Sequence, residues 1–212
     1  IPGAKEAMQN GQILYAGKYN APDYELICSK GCELAIESTM IGHVPEVKEN
    51  LESFGIPVLV DHSSYESEPL GRTEWVKLCG LLTGKEEAAE KAFEEQRQYV
   101  SELSDTTDTG KTVAFFYITT AGTVSVRKSS DYVPKMIDIA GGEYIFKNLK
   151  GEDNAASSVN MQMEEFYAQA KDADYLVYNS TIDGKLDTLD DLLAKSSLFA
   201  NFKAVQSGNV WC

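Results

Sequence analysis

"KEEAAEKAFEEQRQYVSEL", residues 85–103, is the stretch on which the fold turns. Ala88, Ala89, Ala92, Phe93, Tyr99, Val100 and Leu103 recur at helical spacing, and neither Gly nor Pro interrupts them. This predicts one long amphipathic helix, ended by the polar cluster "SDTTDTGK" (104–111). The sequence from Pro69 is also almost wholly helix-forming and breaks at "TGK" (83–85).

On either side of this helix, short apolar runs alternate with helical stretches, the signature of α/β architecture. Before it, "QILYAG" (12–17), "ELAIE" (33–37) and "IPVLVD" (56–61) read as strands, and 21–30 and 45–55 as helices. Both helices have Pro near the start and Gly at or just past the end, as helix termini prefer. After it, 112–119, 174–180 and 208–212 read as strands, with helices at 130–141, 164–173 and 189–195. The expected organisation is an N-terminal α/β lobe at 1–82, a linking helix at 83–110 and a C-terminal α/β lobe at 111–212.

Composition removes several classes. The 212 residues carry a net charge of −14, which opposes binding to nucleic acid phosphates. No apolar run approaches the roughly 20 residues a membrane helix needs. The four cysteines, Cys28, Cys32, Cys79 and Cys212, do not form a disulfide framework.

Candidate chemistry is sparse. In "CSKGC" (28–32) the spacing admits a metal half-site, a redox pair or a disulfide. A zinc site wants two further ligands at defined spacing, and none is near. A redox pair favours a helix N-terminus, whereas this pair closes a helix, where the dipole disfavours a thiolate. Both cysteines are therefore expected to be small structural hydrophobes. "DTGKT" (108–112) lacks the first Gly of a phosphate loop and precedes a strand instead of opening a helix. His43 and His62, with Glu37 and Asp61, could hold a metal ion, but two histidines are a thin set. No G-x-S-x-G elbow follows a strand.

Three stretches together resemble one family. They are "PDYELICSKGCELAIE", "GIPVLVDHSSYESEPLGRTEWVKLCGLLTGKEEAAEKAF", and "SSDYVPKMIDIAGGEYIF" with "VNMQMEEFYAQAKDADYLVYNS" and "FKAVQSGNVW" after it. Their order and spacing are similar to the helical-backbone (class III) substrate-binding proteins of ABC importers for iron–siderophore, haem and cobalamin. The resemblance implies two Rossmann-like lobes joined by one long interlobe helix, with cargo held between the lobes. In that family a strand–helix–strand unit precedes the segment resembling Ile1 onward, and a terminal helix follows the "GNVW" strand. The first lobe is thus expected to be incomplete and the chain truncated at both ends.

The implied function is cargo capture outside the cytoplasm, by a periplasmic or lipid-anchored protein, and delivery to a membrane ABC permease. The cargo would be a small-molecule iron complex, siderophore before haem, with a corrinoid, or a metal ion bound by the same fold, as the alternative. No catalytic residue, resident cofactor, metal centre or nucleic-acid partner is expected. Polar and aromatic groups after the strands are the candidate cargo contacts: Tyr19, Ser38, Thr39, Met40, His43, Ser64, Tyr65, Arg72, Thr120, Arg127, Tyr178 and Asn179. Arg72 could instead pair within its own helix. Permease docking in the resembled family uses one acidic residue per lobe, and Glu25 and Glu164 occupy those positions. Two other classes stay open: an α/β enzyme with an unrecognised site, and an interaction module with a degenerate cleft.

Overall fold

The computed structural model describes residues 3–104, 108–149 and 157–212. Residues 105–107 of the expected polar cluster and 150–156 lie outside the described residues. The chain divides into two compact units, Ile1–Ser64 and Tyr65–Cys212.

The first unit runs α1 (Ala4–Gln9), β1 (Gly17–Lys18), β2 (Ala21–Pro22), α2 (Tyr24–Ser29), β3 (Ala35–Ser38), α3 (Pro45–Ser53) and β4 (Val58–Asp61). β3 and β4 pair in parallel, from Ala35 opposite Val58 to Ser38 opposite Asp61. Ile41, Val47, Leu51 and Ile56 are buried between this sheet and α3, flanked by Tyr24, Ile27 and Cys32. α3 starts with Pro45, whose fixed φ suits the first turn. It stops where Gly55 takes φ 80° and lets Ile56 N donate back to the Leu51 carbonyl.

Two expectations for this unit change. The strand expected at 12–17 is absent except for Gly17, which pairs with Pro22 in a two-stranded hairpin. Ile13, Leu14 and Tyr15 form an unbroken apolar triplet without alternation, and all three are exposed. The hairpin itself requires glycine: at φ 99°, a Cβ on residue 17 would come within 2.4 Å of the Ala21 carbonyl oxygen. The second change concerns Cys28, which is exposed, whereas Cys32 is partly buried against the core. Only Cys32 behaves as a structural hydrophobe.

The second unit opens with α4 (Pro69–Thr83) and α5 (Glu86–Ser104), so the long helix read from residues 85–103 is real. A tight approach joins the pair. A Cβ on Gly80 would meet the Ala89 Cβ at 2.4 Å, so only glycine allows this crossing. Lys77 spans the same interface, 3.2 Å from a Glu90 carboxylate oxygen and 4.0 Å above the Phe93 ring. This packing places α4 in the same unit as α5. The compact boundary therefore falls at 64/65, while the boundary expected from the helix break lies at 82/83.

The rest of the unit is a mixed sheet with its helices: β5 (Lys111–Ile118), β6 (Val124–Arg127), α6 (Tyr132–Ile139), β7 (Gly142–Tyr144), β8 (Ser158–Met161), α7 (Met163–Ala170), β9 (Tyr175–Tyr178), α8 (Ser180–Asp183), α9 (Leu189–Lys195), α10 (Lys203–Gln206) and β10 (Val210–Trp211). The strand order is β10-β9-β5-β6-β8. β5 is the spine. Along one edge it runs parallel to β9; along the other, its first residues pair with β7 and its last with β6. Phe116, Phe166, Phe199 and Phe202 are fully buried on one face and stack in a chain of ring contacts. Each such ring stabilises the fold by about 1.5–3 kcal/mol relative to an exposed one.

Candidate functional site

Parallel strands in register release their loops at one end of the sheet, which is where α/β folds carry ligand-contacting groups. In the first unit, β3 and β4 deliver Ser38–His43 and His62–Ser64 to the same end. Ser38 Oγ accepts from Met40 N at 3.4 Å and starts a 3-10 turn over Thr39–His43. That turn buries Ile41 as its anchor and leaves Met40 and His43 exposed. Asp61 Oδ1 accepts from Ser63 N at 2.7 Å and turns the chain after β4. Tyr19 sits at the tip of the β1–β2 hairpin, and Tyr65, the first residue of the second unit, is 55% exposed.

In the second unit, β5 and β9 are parallel and place Thr119–Thr120 and Asn179–Ser180 at one end of the sheet. Thr119 and Thr123 hold a tight hairpin through a 2.8 Å bond between their hydroxyls, and Thr120 is exposed at its tip. Asn179 is buried and its side chain is committed. Its Oδ1 accepts from Thr181 N at 3.2 Å and Thr181 Oγ1 at 2.6 Å, capping α8.

Three expected contacts are placed differently. Tyr178 is 2% exposed and packs edge-on to Phe116 at 5.5 Å, so its ring belongs to the core. Arg127 ends β6, which runs antiparallel to β5. It therefore lies about 13 Å down the sheet from the Thr119–Thr123 turn. There it donates to Ser157 Oγ at 2.8 Å and faces Asp131 at 3.7 Å. The strand falls between the strand expected at 112–119 and the helix expected at 130–141, where the sequence analysis assigns no element. The signal was present: a turn with Gly122, then Val124 and Val126 in alternation. Arg72 donates from Nε to the Glu66 carbonyl at 3.0 Å and lies over the Tyr132 ring.

The electrostatics are mild. Burial pushes the Glu37 carboxyl above its ordinary value. Among the described residues no three His, Cys, Asp or Glu side chains gather to hold a metal, so His43, His62, Glu37 and Asp61 do not form a ligand set. Glu25 and Glu164 are both exposed, in the first turns of α2 and α7. No described helix is long and apolar enough to cross a membrane. Sequence reasoning also missed a groove of about 180 Å³ beside β10, lined by Leu186, Thr188, Leu192, Val210 and Trp211.

The chain is 29% identical over 215 residues to an uncharacterized lipoprotein, MJ0878, of Methanocaldococcus jannaschii; the match covers 98% of this chain and 48% of that protein. The chain thus spans about half the length of this relative. Among solved structures it resembles the periplasmic haem-binding protein HutB of Vibrio cholerae, with a TM-score of 0.73 and 20% identity, covering 95% of this chain and 75% of that one. It also resembles the siderophore-binding protein FhuD of Vibrio cholerae, solved with Fe3+-Desferal, with a TM-score of 0.66 and 18% identity over 93% and 72% of the two chains. At these identities the structures establish a shared fold. The family model for periplasmic binding proteins matches residues 3–211, and the chain belongs to that family.

Proposed function

We propose that this chain is the cargo-capturing part of an extracytoplasmic solute-binding component of an ABC importer, and that it carries an iron complex, siderophore or haem, to a membrane permease. Family membership over residues 3–211 is the observation that carries the reading. The haem- and Fe3+-Desferal-binding proteins of the same fold support an iron cargo, and the lipoprotein relative supports a lipid-anchored or periplasmic setting. Within each unit the proposed cargo contacts lie in the loops that follow its parallel strands or beside them: Ser38, Thr39, Met40 and Ser64 with Tyr19 in the first unit, and Thr120 with Tyr65 in the second. Glu25 and Glu164 engage the permease. The chain binds and releases its cargo without altering it.

A thermal-shift panel of ferric siderophores, haemin, cobalamin and divalent metal ions tests this reading. A ligand that binds only the folded state raises the melting temperature, by about 5–10 °C at a hundredfold excess over Kd. A shift with an iron complex is expected. A panel without any shift, or chemical turnover of a panel member, overturns the proposal.

A further inference from the structure

We infer that Glu66 is a positioning residue that holds the neighbouring Tyr65 in place for cargo; this rests on the importer reading above, in which Tyr65 is a cargo contact of the second unit. The evidence is the way the segment ahead of α4 is fastened. Glu66 Oε1 accepts from the Trp75 indole Nε1 at 3.1 Å, and the Glu66 carbonyl accepts from Arg72 Nε at 3.0 Å. A Cβ on Gly71 would come within 3.2 Å of Glu66 Oε2, so the glycine leaves the seat in which this carboxylate lies. Backbone and side chain of one loop residue are thus both tied to the first two turns of α4.

A glutamate in a surface loop ordinarily extends into water. Here the side chain folds back onto the helix, and Glu66 and Trp75 are both half-buried. Two residues, Ser67 and Glu68, separate Glu66 from α4, and they have little freedom. Pro69 fixes its own φ at the first helical position, and the Glu68 carbonyl accepts from Arg72 N at 3.1 Å. The chain is therefore ordered on the helix side of Tyr65, which is itself 55% exposed. An exposed aromatic contact that is ordered before its ligand arrives loses less entropy on binding, and the difference appears as affinity.

The two holds on Glu66 differ. Arg72 also lies over the Tyr132 ring and so fastens α4 to α6, whereas the carboxylate ties the loop to α4 itself, about one turn deeper. The carboxylate stands ahead of a helix N-terminus, where the dipole favours it, so a fall in stability alone would not identify its role.

The test is a double-mutant cycle on the intact protein, titrated with Fe3+-Desferal, haemin and cobalamin, with urea midpoints measured alongside. For the probe that binds the parent, Glu66→Ala and Trp75→Phe are each expected to raise Kd about 5–10-fold. Glu66→Gln should raise it by less than about twofold, because an amide oxygen still accepts from the indole. In a Tyr65→Ala background, adding Glu66→Ala should raise Kd by less than about twofold, since the positioned group is gone. Arg72→Ala, which leaves the carboxylate–indole bond, is the stability control and should stay within about threefold of the parent. Chymotryptic cleavage after Tyr65 should quicken at least about tenfold in Glu66→Ala, while cleavage after the exposed Tyr15 does not change. Equal losses with and without Tyr65, unchanged affinity in Glu66→Ala, or unchanged cleavage after Tyr65 overturns the inference and leaves the importer reading in place. A parent that binds none of the three probes overturns both.

Discussion

The guanidinium carbon of Arg72 lies 3.9 Å from the centre of the Tyr132 ring. This contact fastens the first turn of α4 to the first turn of α6, beside an ion pair of Glu68 with Lys135 at 3.5 Å. Arg72→Ala removes both the ring contact and the hydrogen bond to the Glu66 carbonyl. The expected cost is about 1–2 kcal/mol, read as a lower urea midpoint. Cargo affinity should stay within about threefold of the parent, because the side chain serves the scaffold. A large loss of affinity at unchanged stability would return Arg72 to the cargo contacts.

Asp174 gives a pH-dependent signature. Its carboxylate accepts from Lys203 Nζ at 2.8 Å, Thr112 N at 3.0 Å and Thr112 Oγ1 at 3.2 Å, joining the starts of β5, β9 and α10. The Lys203 bond, followed by the Thr112 backbone bond, holds its pKa well below the ordinary carboxyl value of 3.8. A depressed folded pKa means that the stabilisation is complete above 3.8 and is lost as pH falls through the folded value. Asp174→Asn should therefore unfold at lower urea than the parent at pH 7, with the gap narrowing only below pH 3.8. A gap that stays constant down to pH 2 would show that the carboxylate charge is not its source.

The cysteines should separate cleanly. Cys28 is exposed, so Cys28→Ser is expected to change stability by less than about 0.5 kcal/mol. Cys32 lies against the first unit's core and its thiol donates to the Leu34 carbonyl at 3.4 Å. Cys32→Ala should cost about 1 kcal/mol. Elemental analysis should find no stoichiometric zinc; zinc that disappears in both variants would overturn the structural reading of the pair.

Docking should depend on Glu25 and Glu164 together. Both sit exposed in first helical turns, where the helix dipole stabilises a carboxylate. Changing both to Arg in the intact protein is expected to abolish cargo-dependent stimulation of permease ATPase activity. Cargo affinity and melting temperature should be nearly unaffected, since exposed charges govern association more than folding. Normal stimulation by the double variant would remove these residues from the interface.

The elements legible in the sequence were those with strong local periodicity. The helix of Glu86–Ser104 carries its pattern over five turns, and β5 is eight residues with a buried core, so both could be read directly. β7 and β8 span three and four residues and exist because β5 and β6 offer them an edge, which is a tertiary effect without a local signal. The misreading of 12–17 shows the reverse case: β-prone residues with no partner strand. Ser38 and Thr120 could be placed in loops at strand ends because loops follow parallel strands. Tyr178 packs against Phe116 and Asn179 caps α8, and residue type alone reveals neither.

The position of β5 also bears on synthesis of the chain. Its hairpin partner β6 follows after five residues, but the residues that pair along its other edge, Tyr175–Tyr178, come about sixty residues later. At about 5–20 residues per second, a ribosome leaves that edge of Val113–Phe116 open for about 3–12 seconds. During that interval "VAFF" is an apolar strand with unpaired backbone groups, the kind of segment that templates aggregation. The nascent protein is most exposed to misassembly after β6 has closed and before β9 has emerged, a window in which a holding chaperone would matter more than any later stabilisation of the finished fold.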